Sequence, residues 1–578
     1  MKKVWTLSLT LTVMFGLGAV AFFQLRAQAA RPMAELVPAG PLLYLQAGDF
    51  SALVHDWNAS PTKQAWLKSD NYQLFSRSRL LLRLQQAQTE FADAAGVPPD
   101  MALVDQVAGG ESALALYDIG KLEFLYITRM PSARAMQSTL WQKRGDFQPR
   151  SVAGVSYYLR TDPQSGRVVC FGIAGDYLIL ATREDLIAGA IQLVSGQQGR
   201  TVASEGWFDQ AARAAGSPGD LRLALNMPVL VKTPHFRTYW IQQNITELKQ
   251  YSAAISDLRR SSAEYREERV LLRAQTPAAD DATVKQSESA VAEVLRLAPD
   301  DAGVYLASAN PTSAQALALV QQKILAPQSG AAPPSKEAPP QVGLGSGETG
   351  NAADLETRID EPPVAAAAAG KLGTEPLRKL LDAAGLRAAL QLESTRKLPD
   401  GVFVGSQSAI VLLATSDWDA AAVRDALSGA VESLWTTSRL GVAWSARGQG
   451  ADASYQMDGL MHVSLATRGK LLILADSPEA LAGVLARVSQ PPAAEGAAYA
   501  AGFRHAREAE NFARMTRLID QPQMPQASGD QSGEHEPMFF SENMASLSRT
   551  LGTLQSEQIT VHDRGATVTQ TVVYHFAP

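Results

Sequence analysis

The sequence predicts an α+β protein, internally duplicated, with two similar units of mainly antiparallel sheet and helices packed on one face. Three observations lead there. "GDYLILATREDLIAGAIQLVS" (Gly175–Ser195) aligns without a gap with "GKLLILADSPEALAGVLARVS" (Gly469–Ser489), and nine of the 21 positions are identical. Four further matches occur in the same order along the chain, which is the mark of an internal repeat. Strand-like runs are joined by short turns, and short turns join antiparallel neighbours.

The four matches are as follows. "VPAGPLLYLQAGDFSAL" (Val37–Leu53) is echoed by "APDDAGVYLASANPTSAQAL" (Ala298–Leu317), placing Tyr44 with Tyr305. "FADAAGV" (Phe91–Val97) is echoed by "LLDAAGL" (Leu380–Leu386), and "GGESALAL" (Gly109–Leu116) by "GSQSAIVL" (Gly405–Leu412). Last and weakest, Ile245, Leu248 and Ile255 share their spacing with Met544, Leu547 and Leu554.

These matches set the expected domains: residues 33–276 as the first repeat, 277–297 as a helical connector, and 298–578 as the second repeat. The second repeat carries a Pro-, Gly- and Ala-rich insert at about 326–370 and a shorter low-complexity loop at 521–537. Such compositions bury too little apolar area to offset the entropy of ordering them.

Within the first repeat, "SALALYDI" and "EFLYITRM" read as strands about a turn, and "SARAMQSTLWQ" as a helix. "GVSYYLRT", "GRVVCFGIAG" and "DYLILA" read as three more strands. The next helix has a T-x-x-D start at Thr182 and Asp185; in the second repeat Ser477 caps and Pro478 takes the first helical position. Leu186, Ile187, Ala190, Ile191 and Val194 make its apolar face, matched by Ala480, Leu481, Val484, Leu485 and Val488. Gly96 and Gly385 are expected to close helices in the left-handed conformation after Asp93 and Asp382.

Composition narrows the function. Of 578 residues, 46% are hydrophobic and 19% charged, which is a globular profile, and the net charge of −6 gives no basic footprint for nucleic acid. The lone Cys170, in "RVVCFGIAG", excludes intramolecular disulfides and cysteine-rich zinc sites and reads as a buried strand thiol. Lys2 and Lys3 precede the uncharged run Val4–Leu25, and "AQA" follows at Ala27–Ala29. This is the pattern of residues 1–30 as an export signal or, at that length, a membrane anchor with the body outside the cytoplasm.

No catalytic, cofactor-binding or metal-ligating residues are assigned. His55-Asp56 reads as a solvated helical pair, His562-Asp563 as a hairpin turn, and His575 as one position of the last strand. Glu534-His535-Glu536 lies in low-complexity sequence, and HExxH is absent. "GLGSGETG" (Gly343–Gly350) lacks the Lys-Ser/Thr of a phosphate loop, since Asn351 follows. Ser112 and Ser408 recur at strand starts, which points to structural turns. Glu111 is matched by Gln407, so the fold does not require that carboxylate. "DLRRSSAEYREER" (Asp257–Arg269) reads as a solvated helix end running into an edge strand.

Pro38, Ala39, Leu42 and Tyr44, with Asp49 displaced, form a P-A-x-x-L-x-Y start that leads into a helix bearing "ASP" (Ala59–Pro61) and Trp66. The late "GDYLILAT" strand and its helix complete the pattern. This resembles exported bacterial proteins of unknown function, and the resemblance implies an envelope location and an α+β fold, with no catalytic residues attached. The expected function is a non-enzymatic envelope binding or scaffold protein with an envelope protein partner, held to the membrane by its N-terminal segment. A carrier of lipid or another apolar ligand is the alternative. An envelope hydrolase, requiring His55 or His562 to meet a Ser or carboxylate from distant sequence, stands third.

Overall fold

The computed structural model describes residues 31–69, 72, 76, 79–233, 248–275, 281–325, 373–397, 404–432, 442–458, 462–493, 496–519 and 552–577. The N-terminal run Val4–Leu25, the 326–370 insert and the 521–537 loop lie outside the described residues. Every strand pairing described below is antiparallel. With the helices between the strands, this makes the protein α+β. It divides into two compact units, Met1–Val54 with Ala87–Gln210, and His55–Gln86 with Ala211–Pro578.

The first unit holds β1 (Leu43–Ala47), β2 (Ser112–Asp118), β3 (Glu123–Arg129), β4 (Gln148–Val152), β5 (Val155–Thr161), β6 (Val168–Ala174) and β7 (Tyr177–Ala181). Their lateral order is β1-β2-β3-β7-β6-β5-β4. β4 carries Pro149 and lacks an alternating pattern, and the sequence reading did not find it. Alternation along β3, β6 and β7 sends side chains to both faces. Phe171, Leu178 and Leu180 pack with Phe91, Val97 and Leu140 on one face. Leu125, Ile127 and Ile179 are buried on the other, where the Glu184–Val194 helix buries Leu186, Ile187, Ala190, Ile191 and Leu193. The expected "SARAMQSTLWQ" helix is broken in two, Ser132–Ala135 and Thr139–Gln142. Ser138 between them accepts from Trp141 N at 3.3 Å and starts the second piece.

The second unit holds β8 (Leu221–Leu225), β9 (Tyr251–Arg260), β10 (Glu264–Arg273), β11 (Val304–Ala309), β12 (Leu386–Lys397), β13 (Val404–Ala414), β14 (Ala443–Arg447), β15 (Ser454–Asp458), β16 (Val463–Arg468), β17 (Leu471–Ala475), β18 (Tyr499–Phe503), β19 (Leu554–Asp563) and β20 (Thr567–Phe576). Their order is β8-β9-β10-β20-β19-β18-β11-β12-β13-β17-β16-β15-β14. On one face, Leu390, Val411 and Ile473 pack with Val291 and Val294 of the Asp281–Leu295 helix and Leu481 and Val484 of the Pro478–Leu485 helix. On the other, Ala389, Ile410, Leu412 and Leu474 pack with Val320, Leu381 and Leu427 of three other helices. Helices therefore cover both faces, not the single face expected. The cause is legible in "AIVLLA" and "LLILA", which are apolar at every position and so have no face to leave in water. The expected connector is the Asp281–Leu295 helix, which packs into this core.

The strand order β11-β12-β13-β17-β16-β15-β14 reads like β1-β2-β3-β7-β6-β5-β4. Tyr44 and Tyr305 are each the second residue of their strand. Gly96 and Gly385 both have left-handed φ, +69° and +63°. One contact recurs: a Cβ at Gly189 would stand 3.1 Å from Pro38 Cγ, and one at Gly483 would stand 3.6 Å from Pro299 Cγ. Two sequence matches do not coincide with this order. "GGESALAL" lies on β2 and "GSQSAIVL" on β13, yet the strand between β2 and β7 is β3. Ser112 starts its strand, whereas Ser408 is mid-strand. Ile255 is mid-β9 and Leu554 begins β19; Tyr251 and Leu554 are the corresponding starts. Ile245, Met544 and Leu547 lie outside the described residues.

Two local readings also change. Thr182 does not cap the following helix; its Oγ1 accepts from Phe124 N at 2.8 Å, and Arg183 takes the cap position without a side-chain bond. Ser477 does cap, accepting from Ala480 N at 3.3 Å, with Pro478 next. Asp257–Arg269 is no helix end but the β9–β10 hairpin, and β10 is not an edge because β20 pairs along it.

Candidate functional site

Among the described residues, three hollows are lined by polar side chains. The first, in the first unit, is about 300 Å³ and is lined by Lys121, Glu123, Ser165, Arg167, Thr182 and Arg183. The Asp162–Gly166 turn shapes it, because Asp162 Oδ2 accepts from Ser165 N and Oγ, both at 2.7 Å. Arg167 donates through Nε and Nη2 to Glu90 Oε2 at 3.1 and 2.6 Å. Arg183 donates to Asp185 at 2.5 and 3.0 Å and to Glu123 at 3.0 Å; the Asp185 bonds above all, then the Glu123 bond, raise its guanidinium's pKa against the opposing effect of burial. Both guanidinium groups already face carboxylates.

The second hollow, about 260 Å³, lies in the second unit and includes Arg273, Thr283, Ser287, Asn310, Asp563 and Gly565. Arg273 makes a two-pronged pair with Asp563, both bonds 2.6 Å, and also donates to Gly565 O at 2.6 Å. That guanidinium, helped by the Gly565 N–H, holds the Asp563 carboxyl below the usual carboxylate range, with burial opposing. Asn310, at φ +47°, donates to Ser287 Oγ at 2.8 Å.

The third hollow, about 200 Å³, includes Pro299, Ser394, Gln407, Glu479, Gly483 and Arg507. Glu508 is 1% exposed, yet accepts from Thr395 N at 3.1 Å, from Thr395 Oγ1 and from Arg507 Nη1. Its helix begins one residue after Arg504, whose N donates to Gly303 O at 2.9 Å.

Sequence reasoning missed the most buried ion pair described. Arg222 on β8 donates Nε and Nη2 to Asp257 on β9 at 2.8 and 2.7 Å, with side chains 5% and 2% exposed. Gly219 N donates to Asp257 at 3.0 Å, and Arg222 Nη2 also to Gly216 O at 2.8 Å. Asp257 sat inside a charge-dense run, where nothing distinguishes a buried carboxylate from its solvated neighbours.

The histidines are placed as follows. His55 is exposed, and Asp56 beside it pairs with Arg260 at 3.3 Å. His562 lies within β19 rather than in a turn, and its Nδ1 stands 2.8 Å from Glu288 Oε1, 274 residues away in sequence. His575 Nδ1 is 3.7 Å from Glu264 on the adjacent strand. Glu534-His535-Glu536 and Gly343–Gly350 lie outside the described residues. Among the described residues no cluster of three or more His, Cys, Asp or Glu could hold a metal ion.

Ser112 Oγ shares a 2.6 Å hydrogen bond with Thr128 Oγ1, which also accepts from Gly109 N at 3.1 Å, so both hydroxyls hold a turn. Ser408 N donates to Asp476 Oδ2 at 2.7 Å. Glu111 pairs with Arg129 at 3.2 Å, while Gln407 reaches Ser477. Asp93 is exposed, and Asp382 accepts from Ser313 Oγ. Cys170 is fully buried, with Sγ 3.2 Å from Ala181 O; burial pushes its thiol far up, away from the reactive thiolate.

No family model matches the chain, and no curated protein matches it. Three solved structures, crystal forms I, IV and III of TP0453, show a likeness at 13, 11 and 10% identity. They cover 44, 41 and 45% of this chain and 82, 79 and 87% of theirs, with TM-scores of 0.24, 0.22 and 0.23. A likeness of that size carries no argument about fold or function. No helix among the described residues is long and apolar enough to cross a membrane.

Proposed function

We propose that this is a non-enzymatic binding or scaffold protein of the cell envelope, its body outside the cytoplasm and built from a duplicated α+β module. The observation that carries the reading is the pairing inside the hollows: Arg167 with Glu90, Arg183 with Glu123 and Asp185, and Arg273 with Asp563. Groups held in mutual ion pairs shape a surface; they are not poised to attack or to move a proton. The Lys2-Lys3, Val4–Leu25 and Ala27–Ala29 sequence supports the location and an N-terminal membrane tether. The shared strand order and the recurring Pro38–Gly189 and Pro299–Gly483 contacts support the duplication. The partner in this reading is another envelope protein. Cross-linking in intact cells, then purification from detergent-solubilised membranes, tests it: a specific, reproducible partner is expected, and its absence across repeated attempts counts against the reading.

One observation favours the hydrolase alternative. His562 does meet a distant carboxylate, Glu288, as a base meets the group that orients it. Among the described residues, however, no hydroxyl or thiol hydrogen-bonds the His562 ring. Loss of an ester- or amide-cleaving activity in His562→Ala, with the fold intact, would establish it. The carrier alternative receives no comparable support, because charged and hydroxyl side chains line each of the three hollows.

A further inference from the structure

The strand ladders of the two units match residue for residue. In the first unit Tyr44 pairs with Ala115, Ala115 with Leu125, and Leu125 with Ala181. In the second, Tyr305 pairs with Leu392, Leu392 with Ala409, and Ala409 with Ala475. Two residues further along, on the same face of the strand, Tyr117 of β2 corresponds to Ser394 of β12. Tyr117 donates its hydroxyl to Pro38 O at 2.7 Å. Burial pushes that phenol far up, as befits an enclosed hydroxyl. The second unit has no such ring. Ser394 Oγ accepts from Gly303 N at 2.8 Å. Ala480 stands where the ungapped helix match puts Leu186, which is 4% exposed. Leu392 and Ala409 exchange sizes with Ala115 and Leu125, so those two changes cancel. What remains is the hollow of about 200 Å³, walled by Pro299, Ser394, Gln407, Glu479, Ala480 and Gly483. The walls have not closed over the missing ring: the Pro299–Gly483 approach is 3.6 Å, against 3.1 Å for Pro38–Gly189.

From this we infer that the hollow beside Ser394 takes a para-substituted phenol ring, seated as Tyr117 is seated in the first unit and supplied by a tyrosine side chain or a free small phenol. The inference deepens the binding role proposed above and rests on its duplicated module. Pro299 O, the counterpart of Pro38 O, accepts from Ala302 N at 3.0 Å and keeps a second lone pair for the phenol hydroxyl. Pro299, Ala480 and Leu392 give the ring apolar contact. Arg507 on the wall is already held by Glu508 and by Thr395 O at 3.2 Å. Glu479 opposes an anion, so a neutral ring suits the hollow. Drug-sized ligands occupy roughly 300–1,000 Å³, and this smaller space suits a single ring.

The test uses the full chain and ligand-observed saturation-transfer NMR, with para-cresol, N-acetyltyrosinamide and N-acetylphenylalaninamide as probes. Saturable transfer to the para-cresol ring is expected. Binding of the tyrosine amide as well marks a tyrosine side chain as the occupant, and it should then exceed the phenylalanine amide about threefold to tenfold for its extra hydrogen bond. Binding of para-cresol alone marks a free phenol. Ala480→Leu, which restores the leucine of the first unit, should weaken binding at least about tenfold while hydrogen exchange along β12 stays unchanged. Ser394→Tyr is the second block: it should abolish binding and raise protection in the Pro478–Leu485 helix. No saturable transfer to the wild type overturns the inference, and so does equal binding by the wild type and Ala480→Leu. Exchange in Ser394→Tyr then separates the two failures. Normal exchange along β12 leaves the duplicated module standing, whereas lost protection there removes both.

Discussion

Asp257→Ala should open the β8–β9 ladder, and the size of the effect follows from what the carboxylate holds. It takes two charge-assisted bonds from Arg222 and one from Gly219 N, and both side chains are nearly inaccessible. Removing one partner of such a pair leaves the other charge buried alone, at about 3–5 kcal/mol. Since 1.4 kcal/mol is tenfold, amides along β8 and β9 should lose roughly 100- to 4,000-fold of their protection from hydrogen exchange. Hydrogen exchange resolved by mass spectrometry is the right assay, because a chain of two units has no single melting transition. Asp257→Asn keeps an acceptor for Gly219 and should fall between the wild type and Asp257→Ala. Arg222→Met combined with Asp257→Leu should recover most of the protection, since neither charge is then buried. If Asp257→Ala changes exchange by less than about threefold, the pair is not holding these strands and the reasoning fails.

Other outcomes follow from the same geometry. Ile191 is fully buried on the helix that covers β6 and β7; Ile191→Glu forfeits about 1.5–3 kcal/mol of burial and adds a buried charge, so amides along β6 and β7 should lose at least about tenfold of their protection from hydrogen exchange. Gly483→Ala should stabilise its helix by about 0.5–1 kcal/mol, because the new methyl group has room; Gly189→Ala should gain less, because Pro38 must yield. A Cβ at Gly303 would fall onto the Glu508 carboxylate, so Gly303→Ala should raise exchange at Thr395 and along β12. Burial draws His505 below its ordinary 6.5, with Glu557 opposing. The unfolded chain therefore binds the proton first, stability should fall as pH drops below about 6.5, and His505→Gln should flatten that dependence in a urea titration repeated across pH. Asp563 is depressed instead, by Arg273, so its contribution is present above the ordinary carboxylate range and lost as acid protonates it. Arg273→Gln should then move acid unfolding to higher pH.

Several elements could be read directly. Leu186, Ile187, Ala190 and Ile191 recur at helical spacing, and all four are buried. Ser477-Pro478 starts a helix because one side chain supplies an acceptor and the other a preset φ. Reading failed where a partner distant in sequence decided the outcome. Thr182 has the right spacing for a cap, but a strand-edge N–H at Phe124 claims its hydroxyl. Asp257–Arg269 looks solvated because its charges are dense, yet Arg259 meets Glu268 at 2.6 Å across the hairpin and Arg269 meets Glu267 at 2.7 Å on the same strand. The β2 and β13 sequences resemble each other because buried strands draw on the same few side chains. His562 and Glu288 came together only in three dimensions, since nothing in either local sequence points to the other.

The junction between β10 and β20 has a consequence of its own. β9–β10 and β19–β20 are hairpins of equal length and loop, offset by 303 residues at both strands, Tyr251 to Leu554 and Glu264 to Thr567. They zip together outer rim to outer rim, with Glu268 opposite Thr571 at the centre. Each rim is a row of amide and carbonyl groups that would otherwise solicit strangers. A protein truncated at Ala274 would bare the first of these rows, and its most available complement would be the same row on another truncated molecule. The intact polypeptide keeps that adhesive strip occupied by its own far end.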